Sequence, residues 1–341
     1  MLETVWFLLW GILWAVYFIL DGFDLGLGAL MPVLARNETD RRMIYSSMGP
    51  YWDGNEVWLI TAGGVTFAAF PTAYAVMFSS LYSALLLLLF ALIFRGVSFE
   101  FRGKVDSHRW RTFLDACMVL GSFLPAVLLG VAFANIFRGI PIDGEGIYRG
   151  SLLTLLNPYG LLGGALFLLL FLVHGSLWLA IKSEGDLQQR AAAMAKKCWV
   201  ALLVVAVGFL VATGFSTTLY ANYLKHPTLF VILLVTVVSL VLTLFFLSKE
   251  AYGKAWVASC IAIVGTTLFG VVGLYPTILP SNLDAAYSLT IFNSASSPLT
   301  LRIMLGVALT FVPIVIAYQA WVYYFFRGKV KEEDVAYGEG Y

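Results

Sequence analysis

Long apolar runs separated by short polar joints form the dominant pattern of this 341-residue chain. A helix needs about 20 mostly apolar residues to cross a hydrocarbon layer of about 30 Å. Nine stretches meet this requirement, and they cover residues 6–34, 52–70, 73–101, 112–137, 158–181, 198–220, 228–247, 255–275 and 299–326. The pattern therefore predicts an all-α polytopic membrane protein with nine transmembrane helices. The second stretch is the most interrupted, because charged residues lie at its start.

Composition supports a membrane protein and excludes several other classes. Apolar residues make up 60% of the chain and charged residues 12%, whereas soluble domains have about 45–50% and about 25%. The mean hydropathy is +0.87. The 21 Lys and Arg residues balance 20 Asp and Glu residues, which leaves no basic field for nucleic acid. We expect residues 1–341 to form a single integral membrane domain, because no loop is long enough to fold separately.

The positions of the cations orient the nine predicted helices. Seventeen of the 21 Lys and Arg residues fall on the odd-numbered loops and the C-terminal tail, and four fall on the opposite side. Cytoplasmic loops carry an excess of Lys and Arg. The sequence therefore predicts an N-terminus outside and a C-terminus in the cytoplasm, with residues 327–341 as a short cytoplasmic tail.

Two pairs of carboxylates lie within the first two predicted helices. Asp21 and Asp24 are three residues apart, and Asp53 and Glu56 repeat that spacing, so each pair occupies one helix face. At 1.5 Å per residue, Asp21 lies about 22 Å along its helix from Trp6, which places all four carboxylates in the cytoplasmic half. An Asp at a helix centre costs roughly 2.5–3.5 kcal/mol on insertion scales. We therefore interpret the four carboxylates as a short acidic inlet for protons or cations.

A structural role for the same carboxylates is the alternative. Asp53 comes directly before an apolar run, where a helix N-cap is expected. Gly22 and Gly26 have a spacing that allows close helix packing and needs no catalytic explanation. The carboxylates could also pair with cations at the membrane edge, and the candidate cations are Arg41, Arg42, Arg95 and Arg102.

Residues that could bind a metal are few and scattered. Of the three His residues, only His174 lies within a predicted span. A transmembrane haem usually needs axial His or Met ligands, and one buried His is poorly suited to hold a set of haems. We interpret His174 as a packed, hydrogen-bonded residue. Cys117, Cys198 and Cys260 are far apart within apolar segments and are typical of small packing residues, so we expect no metal ligands in this chain.

Several motifs point to one known family. The most specific is Gly49-Pro-Tyr-Trp-Asp-Gly-Asn-Glu-Val-Trp-Leu-Ile-Thr-Ala-Gly-Gly64. Six others follow the same family pattern, and they are Asp21-Gly-Phe-Asp-Leu-Gly26, Phe67-Ala-Ala-Phe-Pro-Thr-Ala-Tyr74, Arg95-Gly-Val-Ser-Phe-Glu-Phe-Arg102, Gly130-Val-Ala-Phe-Ala-Asn135, Asn157-Pro-Tyr-Gly-Leu-Leu-Gly163 and Ser296-Ser-Pro-Leu-Thr300. Together they cover nearly the whole chain, which resembles subunit II of the cytochrome bd quinol oxidases.

This resemblance implies two four-helix bundles plus one peripheral helix. It also implies a partner, subunit I, which ligates b-type and d-type haems and carries the quinol site. Such a complex lies in a bacterial or archaeal cytoplasmic membrane, oxidises quinol and reduces O2 to water with cytoplasmic protons. Subunit II would supply proton and oxygen access and, in some members, a bound structural quinone. Some members also contain small single-helix accessory subunits.

The resemblance also assigns roles to individual residues. Asp21 and Asp53 match the proton-route carboxylates of the family, and Asp24 belongs to the same motif. Trp58 matches an aromatic side chain that lines the oxygen route. Glu56 stands where some members have Gln, which puts its part in proton transfer in doubt.

Two other functions remain open at this stage. A proton-coupled or cation-coupled transporter would also need intramembrane carboxylates, although no clear inverted repeat is visible in the sequence. A purely structural scaffold subunit would use the same polar residues to stabilise its interface with a partner.

Overall fold

The chain is almost entirely helical in the computed structural model, which describes residues 1–336. The helices are α1 (Leu2–Leu34), α2 (Glu38–Met48), α3 (Trp52–Ala69), α4 (Pro71–Ser80), α5 (Tyr82–Phe101), α6 (His108–Arg138), α7 (Leu152–Leu155), α8 (Pro158–Lys182), α9 (Gly185–Ser216), α10 (Tyr220–Lys225), α11 (Phe230–Ser248), α12 (Tyr252–Leu274), α13 (Pro298–Phe325) and α14 (Glu332–Ala336). The last residues of the predicted tail, 337–341, lie outside the described part.

Eight of these helices are long and apolar enough to cross a membrane, and they are α1, α5, α6, α8, α9, α11, α12 and α13. The all-α polytopic class is therefore confirmed. Helix α3, the counterpart of the predicted span 52–70, is not among the eight because Asp53, Asn55 and Glu56 make its first turns polar. The count of nine spans remains a prediction.

Two predicted spans have different bounds in the structure. The stretch 73–101 consists of two helices, α4 and α5, which are separated at Leu81. Helix α9 begins at Gly185, although the apolar pattern predicts its start at 198. The additional turns of α9 carry polar residues, so they extend the helix beyond the apolar run that the hydropathy pattern detects.

Helix α1 lies at the centre of the packing and contacts α3, α6, α8 and α12. Gly26 makes the close approach of α1 to α8 possible, because a Cβ atom at this position would lie 1.7 Å from the backbone oxygen of Phe171. In contrast, α13 buries only Leu301 among its residues. The fold is therefore a tightly packed bundle around α1 with one helix that is almost entirely exposed.

Short segments cover the two ends of the bundle. At one end, β1 (Thr277–Leu279) pairs antiparallel with β2 (Leu289–Thr290). At the other end, α2 contacts the end of the described chain, where the Nη1 atom of Arg42 donates a hydrogen bond of 3.2 Å to the backbone oxygen of Val335. Both α1 and α3 reach this second end, where the candidate site lies.

Candidate functional site

The centre of the site is an ion cluster that joins α1, α3 and α5. Arg95 on α5 is fully buried, and its Nη2 atom lies 2.8 Å from Oδ1 of Asp21 on α1. The same Nη2 atom donates a hydrogen bond of 2.8 Å to Oε2 of Glu56 on α3. Asp21 is also fully buried, whereas the Glu56 side chain is 23% exposed. One guanidinium group thus bridges a buried carboxylate and a carboxylate that reaches the surface of the chain.

Asp24 belongs to a separate hydrogen-bonded network. Its Oδ2 atom accepts a hydrogen bond of 2.8 Å from Nδ2 of Asn55. Oδ1 of Asn55 accepts hydrogen bonds from the Tyr323 hydroxyl at 2.8 Å and from Nε2 of Gln319 at 3.3 Å, both on α13. Oε1 of Gln319 accepts one of 2.8 Å from Nε1 of Trp58. A continuous series of side chains therefore connects the carboxyl group of Asp24 to the buried indole of Trp58.

Asp53 lies apart from both groups. It occupies the first turn of α3 and its side chain is exposed. The N-cap residue is Tyr51, so the sequence-based N-cap interpretation of Asp53 is wrong. Within residues 1–336, neither a hydrogen bond nor an ion pair joins the Asp53 side chain to another side chain. Asp53 thus faces outward at the end of α3 that lies nearest to α2.

The ion pair between Asp21 and Arg95 is one of the pairings that the structural alternative predicts, but Arg95 is fully buried and does not lie at the end of its helix. Helix α5 continues beyond Arg95 to Phe101, which puts the guanidinium group about 9 Å inside the helix end at 1.5 Å per residue. Arg102, in contrast, directly follows the last residue of α5 and binds Glu38 with two hydrogen bonds of 2.9 and 3.0 Å. The site therefore contains a buried cation that the apolar pattern conceals.

Charged side chains hold α2 across this end of the bundle. Arg102 bridges Glu38 on α2 and Asp115 on α6, while both oxygens of Asp40 accept hydrogen bonds of 3.0 Å from Arg190 on α9. Burial of Glu38 opposes ionisation, but the hydrogen bonds and charge of Arg102 outweigh it, so the pKa of the Glu38 carboxyl lies below its ordinary value. These pairs fix α2 beside the ion cluster.

Several buried polar atoms of the site form no hydrogen bond with any protein atom in the described range. They are the Tyr17 hydroxyl, both carboxyl oxygens of Asp21, Oδ1 of Asp24, and Nε and Nη1 of Arg95. A buried polar group left unsatisfied costs about 1–3 kcal/mol, and more when it is charged. Their concentration around one cluster indicates that these groups have a use other than packing.

His174 on α8 does not fit an axial haem ligand. Its Nδ1 atom lies 2.6 Å from Oγ of Ser259, and its Nε2 atom lies 3.0 Å from the backbone oxygen of Ile19. Both ring nitrogens are therefore engaged within the protein. The described part of the chain also contains no group of three or more His, Cys, Asp or Glu residues placed to hold a metal ion. These residues do not fit haem ligation.

An apolar cavity of about 730 Å³ lies between α3, α4, α5 and α6. Aliphatic and aromatic side chains form most of its wall, which also includes Gly63 and Gly64 of α3. Its volume falls within the range of about 300–1,000 Å³ that is typical of small-molecule sites. The cavity is therefore large and apolar enough for a hydrophobic ligand.

Three site residues were not identified from the sequence, and they are Asn55, Gln319 and Tyr323. Asn55 lies within the most specific motif, between Asp53 and Glu56, where an amide gives no signal separate from the two carboxylates. Gln319 is the only amide residue in the predicted span 299–326. An amide within a long apolar run is costly unless it is hydrogen-bonded, and this signal could have identified Gln319.

Comparisons with known proteins agree on one family. Residues 2–326 match the family described as cytochrome bd terminal oxidase subunit II. The chain is 36% identical over 333 residues to the cytochrome bd ubiquinol oxidase subunit 2 of Bacillus subtilis (strain 168), with 98% of each chain covered. It is also 36% identical over 368 residues to the cytochrome bd-I ubiquinol oxidase subunit 2 of Escherichia coli (strain K12), which covers 98% of this chain and 96% of that one.

A solved structure shares the fold. The bd oxidase from Geobacillus thermodenitrificans aligns with a TM-score of 0.77 and 15% sequence identity, and the alignment covers 96% of this chain and 99% of that one. The sequence motifs, the family match over nearly the whole chain and the shared fold lead to the same conclusion. This multi-pass membrane protein belongs to the family of cytochrome bd terminal oxidase subunit II.

Proposed function

We propose that this chain is the non-haem subunit of a membrane quinol oxidase that reduces O2 to water with quinol electrons and cytoplasmic protons. The observation that carries this proposal is the buried cluster of Asp21, Arg95 and Glu56, with Asp24 beside it, in a family whose named members are ubiquinol oxidase subunits. Buried ionisable groups within membrane helices commonly mark proton or ion pathways. The role of the chain is to give protons and oxygen access to the reaction and to stabilise the complex.

The proposed proton route begins at Asp53, which is exposed in the first turn of α3. Glu56 is three residues further along the same helix, so both carboxylates share one helix face. Glu56 contacts Arg95, which contacts Asp21. Asp21 and Asp24 are the fully buried carboxyl groups of the proposed route. This order leads from an exposed group through a half-buried group to fully buried ones, as a proton inlet requires.

Trp58 and the apolar cavity are the proposed contacts for hydrophobic reactants and cofactors. Trp58 is buried on α3, two residues beyond Glu56, and we assign it to the wall of the oxygen route. The cavity between α3 and α6 suits the isoprenoid tail of a structural quinone. Because a Cβ atom on Gly63 would meet no atom within 4 Å, Gly63→Trp should fill the cavity and lower the quinone extracted from the purified complex. Gly208→Trp on α9 is the matched control.

The haems and the quinol site belong, in this proposal, to the partner subunit I. The support from this chain is that His174 is engaged on both nitrogens. Single-helix accessory subunits would bind around this pair. The expected location is the bacterial or archaeal cytoplasmic membrane, where lipid contacts the exposed apolar faces.

The proposed topology is nine transmembrane helices within one membrane domain, arranged as two four-helix bundles and a peripheral helix. Helix α3 supplies the ninth span, and α13 is the peripheral helix because almost none of its surface is buried. The N-terminus lies outside and the C-terminus lies in the cytoplasm, followed by the tail 327–341.

The test uses the complex purified from its native membrane. Asp53→Asn and Asp21→Asn should each slow quinol-dependent oxygen uptake ~10-fold or more, because a positioned proton-transfer group contributes about 10²–10⁴-fold. The reduced-minus-oxidised haem spectrum should stay unchanged. Asp284→Asn is the control, since Asp284 is an exposed carboxylate in the loop between β1 and β2.

Unchanged oxygen uptake in both variants, with normal haem content, would refute the proton route. A scaffold role is the alternative, and the ion pair between Asp21 and Arg95 is the observation that favours it. In that case Asp21→Asn would lower the yield and haem content of the complex, and the surviving complex would turn over at the normal rate. Uptake of solute by vesicles containing this chain alone would instead support a transporter.

A further inference from the structure

Asp21 and Asp24 are neighbours on one helix face, but their partners differ. Both side chains are fully buried. Oδ1 of Asp21 lies 2.8 Å from the guanidinium group of Arg95. Asp24 accepts one hydrogen bond, from the neutral amide of Asn55, and within residues 1–336 no Lys, Arg or His nitrogen lies within 4.0 Å of its carboxyl oxygens. A cation therefore balances the charge of Asp21 directly, and none contacts Asp24.

Arg95 has no positive charge left for a third carboxylate. Its Nη2 atom contacts both Asp21 and Glu56 at 2.8 Å, so one cation already faces two anions. If Asp24 were also ionised, the buried cluster would have a net charge of −2. A charge buried without a partner is so unfavourable that the group usually becomes neutral instead. The cluster is therefore most stable with Asp24 protonated.

Hydrogen-bond geometry identifies the oxygen that carries this proton. The Tyr323 hydroxyl and Nε2 of Gln319 both donate to Oδ1 of Asn55, which forces Nδ2 of Asn55 toward Asp24. Oδ2 of Asp24 is consequently an acceptor. Oδ1 of Asp24 is buried and forms no hydrogen bond with the described protein atoms, so it is the oxygen that can hold and release a proton.

We propose that Asp24 stores the transferable proton of the cluster and that Arg95 is a positioning residue, which keeps Asp21 ionised and Glu56 in place. This inference deepens the proposed function and rests on it, because it assigns separate roles to carboxylates that the sequence treats alike. In each cycle the O–H bond at Oδ1 of Asp24 breaks and its proton moves toward the partner subunit. A proton arriving from the direction of Asp53 then restores the carboxylic acid.

The groups around Asp24 set the conditions for this exchange. The titratable side chains that surround it come from α1, α3, α5, α13 and the segment before α3, and they are Asp21, Tyr51, Glu56, Arg95 and Tyr323. Only Arg95 among them is a cation. Loss of the Arg95 charge should therefore transfer a proton to Asp21 and should leave Asp24 neutral.

Infrared spectroscopy of the purified complex tests the inference separately from turnover. A protonated carboxylic acid gives a C=O band that shifts in D2O, whereas a carboxylate does not. We expect Asp24→Asn to remove such a band, since the amide keeps the shape and can still accept the hydrogen bond from Asn55. Glu56→Gln should retain the band. Arg95→Gln should gain a second band, from Asp21. Arg95→Lys keeps the positive charge and should not gain this band, and it replaces the Gln variant if Arg95→Gln does not assemble.

The outcomes separate the two proposals. A band that survives in Asp24→Asn, or that disappears in Glu56→Gln, would overturn the inference even if Asp53→Asn slows oxygen uptake. If Asp24→Asn loses the band but keeps normal oxygen uptake, the proton route itself would be overturned. Loss of the band together with a ~10-fold or greater fall in oxygen uptake, at constant haem content, is the expected result.

Discussion

Gly26 shows how a single atom can decide the packing of the bundle. A Cβ atom at this position would lie 1.7 Å from the backbone oxygen of Phe171 on α8, so one of the two helix backbones would have to shift. Overpacking of a close-packed core costs typically 1–3 kcal/mol, occasionally more. We expect Gly26→Ala to cost about 3 kcal/mol or more and to lower the temperature at which the purified complex loses its haem.

Gly208→Ala on α9 provides the matched control for this prediction. A Cβ atom at Gly208 would meet no atom within 4 Å, and Ala favours a helix by about 1 kcal/mol over Gly. Its thermal stability should be equal to or above that of the parent. Equal stability of Gly26→Ala and Gly208→Ala would show that α1 and α8 do not depend on close contact.

Glu38 makes the stability of the α2 end depend on pH. Its folded-state pKa lies below the ordinary value of 4.5, because Arg102 stabilises the charged form more than burial disfavours it. This contribution to the free energy of unfolding is fully present above pH 4.5 and is lost as the pH falls through the folded-state pKa. We expect Glu38→Gln to lose less thermal stability than the parent between pH 7 and pH 4.

The comparison needs a carboxylate of similar size without a cation partner. Glu145 is exposed in the loop after α6, and in the described range no cation forms an ion pair with it. Glu145→Gln should reproduce the pH dependence of the parent. A Glu38→Gln curve parallel to that of the parent would mean that the pair with Arg102 contributes nothing to stability.

Helix α13 depends on polar contacts for its place beside α3. Four hydrogen bonds link Gln319 and Tyr323 to Trp58, Gly54 and Asn55, whereas nearly all of its apolar surface is exposed. Hydrogen bonds between membrane helices average about 0.6 kcal/mol each. Gln319→Leu removes three of the four, so α13 should lose about 2 kcal/mol of its attachment.

Hydrogen–deuterium exchange measures this loss. Backbone amides of residues 311–325 should exchange up to ~20-fold faster in Gln319→Leu than in the parent, since about 1.4 kcal/mol corresponds to a factor of ten. Tyr318→Phe is the control, because the Tyr318 side chain is 64% exposed and its hydroxyl makes no hydrogen bond within residues 1–336. Equal exchange in all three proteins would show that other contacts hold α13.

At the scale of elements, hydropathy predicts the helices better than it predicts their breaks. Apolar runs identify the eight helices that are long and apolar enough to span a membrane. The break at Leu81 has no clear signal, since Tyr82 and Leu85 continue the apolar run on the other side. The early start of α9 was not predicted because the first turns of this helix contain polar residues, which a hydropathy pattern does not detect as helical. Hydropathy therefore locates membrane contact and not helix length.

The orientation of the whole molecule can be tested with two single cysteines. In a variant without the three native cysteines, Glu145→Cys and Lys331→Cys should lie on opposite sides of the membrane, because the positive-inside rule places residue 331 in the cytoplasm. A membrane-impermeant maleimide should label position 145 in intact cells and position 331 only in inverted vesicles. Labelling of both positions from the same side would mean that the number of spans between them is even and that one of α8, α9, α11, α12 and α13 does not cross.

The candidate site could be predicted only in part from the sequence. The carboxylates Asp21 and Asp24 stood out because charge within an apolar run is rare. Arg95 was assigned to the membrane edge, since its helix end and its depth depend on how α5 packs. The link from Asn55 to α13 joins residues more than 260 positions apart, and no local pattern contains such a contact. Sequence thus identified which groups are costly, and the fold determined which of them pair.

The ion pair at the centre of the site also has a consequence for biosynthesis. Asp21 enters the membrane with α1, but Arg95 follows 74 positions later. At about 5–20 residues per second, the ribosome needs roughly 4–15 seconds to make that stretch. During this interval nascent α1 carries Asp21 without the cation that pairs with it in the folded chain. We therefore expect the insertion machinery to retain α1 until α5 emerges.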